Sequence, residues 1–308
     1  MKATIYKSTG SRYIAQTADG KTFTARIKGV LKIDDITSTN PVAVGDEVEF
    51  EWENSNETEA VISFIYDRKN QVVRNSPHNK LRQHIVASNI HQSILFATLR
   101  EPKTSQGFID RFLIGCEMYH VPAIIVFNKS DIYKNKEREE FSFFKEMYQS
   151  IGYTTLLTSV LNNEGMDELE NLLKNKTSLL SGHSGVGKSS FINFLFPHKE
   201  LKTQEVSGWS GKGMHTTTFA EMFNLPNGGK IIDTPGIREF GLMHITKQEL
   251  SHYFPEMRKA LNNCRFNNCL HLNEPDCAVK QAVAEGKIFE ERYISYLNIL
   301  DTVEEKNY

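Results

Sequence analysis

The chain has no apolar run long enough to cross a bilayer. Its best, Val121 to Phe127, is seven residues, against the roughly 18 that a spanning helix requires. Met1 to Tyr13 is polar and lacks the apolar core of a signal peptide. Neither membrane insertion nor secretion is expected, and the reading is of a cytoplasmic protein. A dominant charge is also missing: 36 basic residues stand against 38 acidic ones, for a formal charge of -2. No global basic field therefore advertises nucleic-acid binding. Four cysteines in 308 residues are too few for a disulfide scaffold. Three of them crowd between Cys264 and Cys277, which points to a metal rather than to bridges. No internal repeat or low-complexity segment is present. What remains is an ordinary globular composition, 39% hydrophobic and 24% charged, at about twice the ~150-residue prior for a single domain.

Three regions differ in pattern. Residues 1–67 hold short alternating runs at Ala3–Lys7, Tyr13–Gln16, Thr22–Ile27, Val42–Trp52 and Ala60–Ile65, punctuated by turns such as Ala18-Asp19-Gly20. Five strands in so short a span suit a small β-barrel, with an OB-fold leading and an SH3-like barrel reading much the same. Residues 68–245 alternate apolar strands (Ile94–Leu99, Ala123–Phe127, Thr154–Thr158, Thr177–Ser181, Lys230–Asp233) with helical stretches at Ile109–Tyr119, Glu137–Ile151 and Met166–Leu173. That rhythm predicts an α/β unit with a parallel sheet covered on both faces. Residues 246–308 read as a small helical unit interrupted by the cysteine cluster.

The strongest signal is Gly182-His183-Ser184-Gly185-Val186-Gly187-Lys188-Ser189, which fits G-x-x-x-x-G-K-S and lies between an apolar strand and the helical Ser190–Leu195. Glycines allow backbone N–H groups to close around phosphate oxygens, and the helix N-terminus adds positive potential. Lys188 is expected to reach the β- and γ-phosphates, Ser189 to ligate Mg²⁺, and Ser190 to complete the loop. Downstream, Asp233-Thr234-Pro235-Gly236 ends another apolar strand. Asp233 is expected to hold the Mg²⁺ shell through water, with the Gly236 amide meeting the γ-phosphate. Asn128-Lys129-Ser130-Asp131 follows the strand Ala123–Phe127. A carboxylate at Asp131 can accept together from the ring N–H and exocyclic amine of guanine, a donor pair that adenine lacks, so GTP is selected over ATP. Asn128 is expected at the other edge of the base, the Lys129 stem over the ring, and the Ser159 backbone near the guanine oxygen.

The order is unusual. Ordinary GTPases place the phosphate loop before the base-reading motifs; here they precede it, at 128 and 158 against 182. A circular permutation of a compact domain produces this order. Its consequence is that the segment after Gly236 leads directly into the C-terminal region, coupling nucleotide state to that region. Where Ras-like enzymes carry a water-orienting glutamine, this chain has Ile237. The glycine-rich segment from Ser207 to Thr218 holds the expected switch threonine, with Thr217 the best candidate for Mg²⁺ and Thr216 and Thr218 as neighbours. The pattern Cys264-x4-Cys269-x-His271-x5-Cys277 supplies three thiolates and one imidazole, a complete ligand set for a structural Zn²⁺. Cys116, within a helical run, reads as a core residue.

Taken together, the permuted order, the N-terminal barrel and the C-terminal cysteine cluster resemble the ribosome-small-subunit-dependent GTPase A family (RsgA, also called YjeQ). The likeness covers essentially the whole chain. It implies a bacterial GTPase that converts GTP to GDP and phosphate late in small-subunit maturation, stimulated by the small ribosomal subunit and bound to its rRNA. It also puts His215 on the family's switch histidine, the expected catalytic side chain, in a G-R-H-T-T-T-like motif whose arginine is Met214 here. An RNA-binding factor using GTP as a sensor, and a GTPase of large-subunit assembly, are the alternative readings. For RNA contact, Arg12, Arg26, Lys28 and Lys32 of the barrel and the basic stretch Arg68, Lys69, Arg74, Lys80 and Arg82 are candidates. Tyr6, Tyr13 and Phe23 are candidates for stacking on bases. Nothing suggests a dimer seam, so a monomer is expected.

Overall fold

A computed structural model describes residues 1–9, 12–28, 41–75, 83–196, 220–234 and 245–303. The N-terminal strands are β1 (Lys2–Ser8), β2 (Tyr13–Gln16), β3 (Thr22–Ile27), β4 (Glu47–Trp52) and β5 (Glu59–Ile65). They run β1-β2-β3-β5-β4, and an additional β1–β4 pairing closes the ring. The parallel β3–β5 pair, among antiparallel neighbours, is the Greek-key closure of an OB-type barrel. Period-two alternation sends Ile5, Tyr13, Ala15, Phe23, Ala25, Val48, Phe50 and Ile62 into one buried core. The run read as one strand from Val42 is strand only from Glu47. Its first residues fold into a turn instead, because buried Asp46 accepts the Ala43 N–H at 2.8 Å and pairs with the Arg68 guanidinium at 2.7 Å.

Two strands then form a hairpin that the sequence did not announce, β6 (Gln71–Asn75) with β7 (Gln83–Ser88). The α/β sheet follows: β8 (Gln92–Ala97), β9 (Ala123–Phe127), β10 (Thr154–Leu157), β11 (Thr177–Ser181), β12 (Glu221–Asn224) and β13 (Lys230–Asp233). Its spatial order is β10-β9-β8-β11-β13-β12, parallel except for the antiparallel edge strand β12. The three strands that precede the phosphate loop lie on one side of β11, and the two that follow lie on the other. This is the topological expression of the permutation. Residues of β8 alternate between two cores: Leu95 and Ala97 pack with α1 (Gln106–Met118) and α2 (Asn135–Ser150). Ile94 and Phe96 pack on the opposite face with α3 (Met166–Leu173) and α4 (Lys188–Leu195). Cys116 is buried in the first of these cores.

The barrel joins the sheet edge where β1 meets β12. Lys7 and Glu221 pair in backbone register and through an ion pair of 2.7 Å. Tyr6 donates its hydroxyl to Asn224 at 2.6 Å. Beyond the sheet, α5 (Lys247–Leu250), α6 (Pro255–Arg258), α7 (Ala278–Ala284) and α8 (Glu290–Leu300) share a core of Leu250, Phe254, Met257, Val279, Tyr296 and Ile299 with Ile114 of α1. The C-terminal unit is thus seated on a helix of the α/β unit. Among the described residues, no helix is long and apolar enough to cross a membrane.

Candidate functional site

The loops after β8, β9, β10 and β11 converge with the end of β13 at the carboxyl edge of the parallel strands, the place where open α/β sheets bind ligands. The first is Gly182–Gly187, between β11 and α4. Two of its glycines are sterically required. Gly182 has φ +129°, and a Cβ there would lie 2.4 Å from the Phe96 carbonyl oxygen. Gly187 has φ +98°, and its Cβ would lie 2.3 Å from Asn128 Nδ2. Val186 is fully buried and anchors the loop in the α3–α4 core, while Ser184 and Gly185 are exposed. Lys188, the first residue of α4, folds its ammonium back to donate to the Gly182 carbonyl and to the His183 carbonyl at 2.8 Å. Ser189 and Ser190 continue the first turn of the helix, where free N–H groups and the helix dipole favour an anion.

Asp233 ends β13 and is nine-tenths buried. Burial pushes its carboxyl up to about 6 against the pull of nearby Lys188. The same burial pushes Lys188 down to about 8, offset by Asp233. Asp233 Oδ1 is buried without a hydrogen-bond partner. An acidic oxygen left unsatisfied costs stability on its own, and a hydrated divalent cation beside it would remove that cost. The Asp233 carboxylate therefore fits a cation. His215, Thr216, Thr217, Thr218 and Gly236 lie outside the described residues.

The base-reading motif follows β9 directly. Asn128 is buried and tied on three sides: Nδ2 donates to the Val186 carbonyl at 2.9 Å, Oδ1 accepts from Thr158 Oγ1 at 3.1 Å, and its carbonyl accepts from the Tyr133 hydroxyl at 2.7 Å. Residues 58 positions apart in the chain are thereby locked together. Lys129 sits at φ +67° and donates to the Glu101 carbonyl at 2.6 Å. Asp131 Oδ1 accepts from Ser159 Oγ at 2.5 Å, a side-chain contact beyond the backbone role expected of Ser159. Residues that the motif search missed complete the arrangement. Glu164 accepts from the buried Ser130 hydroxyl and pairs its backbone with Ser159. Thr104 Oγ1 lies 2.7 Å from His183 Nε2, and the Phe108 ring stands edge-on to His183 at 5.4 Å. Ser105, the N-cap of α1, was the available signal for that helix start, but nothing local says that the cap abuts a phosphate loop 79 positions away.

The C-terminal cluster also assembles. The ligand atoms of Cys264, Cys269, His271 and Cys277 all lie within 4.8 Å of one another, the scale of a tetrahedral site. His271 Nδ1 faces the sulfurs of Cys277 at 3.3 Å and Cys264 at 3.8 Å, while its Nε2 is buried without a partner. Burial pushes the Cys269 thiol up to about 12, so its thiolate is costly unless a cation compensates, and burial lowers His271, which keeps its imidazole neutral as a metal ligand requires. Glu274 accepts the backbone N–H groups of Leu270 and Leu272 at 2.8 and 2.7 Å and pins the loop. Tyr296 of α8 donates to the Leu270 carbonyl at 2.9 Å. The donor set can hold a metal ion.

Several expected RNA contacts are not available. Tyr13 and Phe23 are barrel core, 1% and 4% exposed, because their alternation points them inward, and Tyr6 is committed to the seam with Asn224. Arg68 is spent on Asp46 and the Pro41 carbonyl, whereas Arg26 pairs with Glu53 but stays exposed. Arg12, Lys28 and Lys69 are exposed. Lys32, Lys80 and Arg82, like the Arg74 side chain, lie outside what is described.

Known proteins agree with this geometry. Residues 65–243 match the RsgA GTPase family model, and residues 2–62 match that of the RsgA N-terminal domain. A relative from Cytophaga hutchinsonii, named small ribosomal subunit biogenesis GTPase RsgA, is 51% identical over 97% of this chain and 98% of its own. A Bacteroides fragilis protein of the same name is 47% identical over 100% and 99%. Among solved structures, YjeQ from Thermotoga maritima superimposes with a TM-score of 0.81 at 28% identity, covering 99% of both chains. YloQ, described as a circularly permuted GTPase, superimposes at 0.76 and 27%, covering 100% of this chain and 96% of its own. A permuted sheet, a barrel-first architecture and end-to-end likeness thus converge: the chain belongs to the RsgA family of circularly permuted, GTP-hydrolysing enzymes.

Proposed function

We propose that this GTPase acts in the maturation of the small ribosomal subunit, as the names of its relatives say of them, and that the small subunit stimulates its hydrolysis of GTP. The observation that carries the site assignment is the Asn128–Val186 bond of 2.9 Å, which sets a guanine-reading loop beside a phosphate loop. In this reading Asn128, Lys129, Asp131 and Ser159 hold the base. Gly182 to Ser190 cradle the phosphates, with Lys188 on the β- and γ-oxygens, and Asp233 and Gly236 sense the γ-phosphate. Ser189, Thr217 and Asp233 serve Mg²⁺, which neutralises charge on the phosphates when bound. His215 orients or deprotonates the attacking water in place of the absent glutamine. Cys264, Cys269, His271 and Cys277 hold one structural Zn²⁺.

The working division is a barrel over residues 1–67, the permuted GTPase unit over 68–245 and the zinc-bound helical unit over 246–308. The protein works as a cytoplasmic monomer on rRNA, through the exposed Arg12, Lys28 and Lys69 rather than the buried aromatics. Hydrolysis by the purified protein, alone and with isolated small or large subunits, tests the reading. A large increase with small subunits alone is expected, lost in His215→Ala with GTP affinity retained. Stimulation by large subunits, or by neither, overturns it.

A further inference from the structure

A buried ion network joins the C-terminal unit to the helix that touches the phosphate loop. Arg292 of α8 is 1% exposed. Its Nη1 donates to Asp110 Oδ1 of α1, its Nε donates to Glu256 Oε1 of α6 at 2.7 Å, and its guanidinium lies 4.5 Å from the centre of the Phe254 ring. Asp110 is completed by the Tyr148 hydroxyl of α2 at 2.9 Å. Gln106, one turn earlier, donates to the Glu291 carbonyl at 3.1 Å. A buried arginine with two carboxylates is costly to assemble and costlier to break, because removing one partner strands the others. It therefore fixes relative position sharply.

The N-terminal end of α1 faces the nucleotide site. The Thr98 N–H donates to Thr104 Oγ1 at 3.0 Å, which leaves the Thr104 hydroxyl proton for His183 Nε2, 2.7 Å away. Phe108 supports the same ring, and the carbonyl of His183 accepts from Lys188. Thr104 and Asp110 are six positions apart, with the first turns of α1 between them.

We propose that Arg292 is a positioning residue for the phosphate loop. By holding Asp110 it sets α1 where Thr104 and Phe108 grip His183, so nucleotide affinity and the seating of the C-terminal unit are thermodynamically linked. This route is separate from the segment after Gly236. It rests on the assignment of Gly182–Ser189 as the phosphate site, and a Lys188→Ala variant that binds nucleotide normally would overturn that assignment rather than the linkage.

Linkage requires coupling evidence, not proximity. The test is a double-mutant cycle on the full chain between Asp110→Asn and Thr104→Val, read as the dissociation constant of fluorescently labelled GDP. Each single variant is expected to weaken binding about 5-fold, and the pair by no more than the worse single variant. Effects that multiply, or an Asp110→Asn variant with unchanged affinity, overturn the proposal. Should Asp110→Asn fail to fold, hydrogen–deuterium exchange on the unmodified chain decides. GDP is expected to slow exchange at residues 290–300 as well as at 104–110, and protection confined to the nucleotide loops overturns the linkage.

Discussion

Replacement of Asp233 by asparagine should make the nucleotide-free protein more stable at neutral pH while abolishing Mg²⁺-dependent nucleotide binding. The magnitude follows from burial. The folded carboxyl titrates at about 6, against 3.8 for an unperturbed one. Between these values the folded chain keeps a proton that the unfolded chain has released, so stability falls as pH rises through the window. The full cost is present above pH 6. At 1.36 kcal/mol for each pH unit its upper bound is about 3 kcal/mol. Asparagine removes that cost, in which the pull of Lys188 is already contained, and relaxation around the charged carboxylate in the parent takes part of the upper bound back. A net gain on the order of 1–2 kcal/mol is therefore expected. The assay is urea denaturation of both proteins, without nucleotide, from pH 4 to pH 7.5. The difference between them should be near zero at the acid end and reach its maximum above pH 6. A variant equal to or less stable than the parent at pH 7.5, or a pH-independent difference, would refute the reasoning that Asp233 is held in an environment built for a cation.

Further expectations concern the other motifs. Asp131→Asn should cost about 100-fold in affinity for guanine nucleotides, from two lost charge-assisted bonds; competition of GTP and XTP against labelled GDP measures it, and retained guanine preference contradicts the base assignment. Gly187→Ala forces a Cβ against Asn128 Nδ2 at φ +98°, so about 1–3 kcal/mol of strain should appear as lower thermal stability and weaker GDP binding in titration. Cys269→Ser should lower metal affinity by more than the roughly 10–100-fold that changes in outer-shell partners cost. Elemental analysis should then find less than one zinc per chain, and limited proteolysis should cut first within residues 246–303.

The legible parts of this protein were those in which chemistry is local. The phosphate loop, N-K-x-D and the cysteine–histidine spacing stand out in the sequence because each chemistry needs particular groups at fixed short intervals. Strands β2, β3, β9, β11 and β13 were bounded correctly because buried strands alternate or run apolar between turn residues. The order of the motifs alone implied permutation.

What tertiary structure decided depends on groups brought together from afar. The OB closure came from the parallel β3–β5 pair, which no alternation pattern distinguishes from another barrel. Tyr13 and Phe23 read as aromatics available for stacking until the ring closed over them, and Arg68 as a free cation until Asp46 claimed it. The β6–β7 hairpin was hidden because its apolar runs, Val72-Val73 and Ile85-Val86-Ala87, are short and sit in a basic stretch, and the edge strand β12 in a short segment of only four residues. Thr104, Glu164 and Arg292 carry no motif at all. Their roles are set by partners such as His183, Ser130 and Asp110, and a single side chain does not record which distant group it will meet once the sheet has folded.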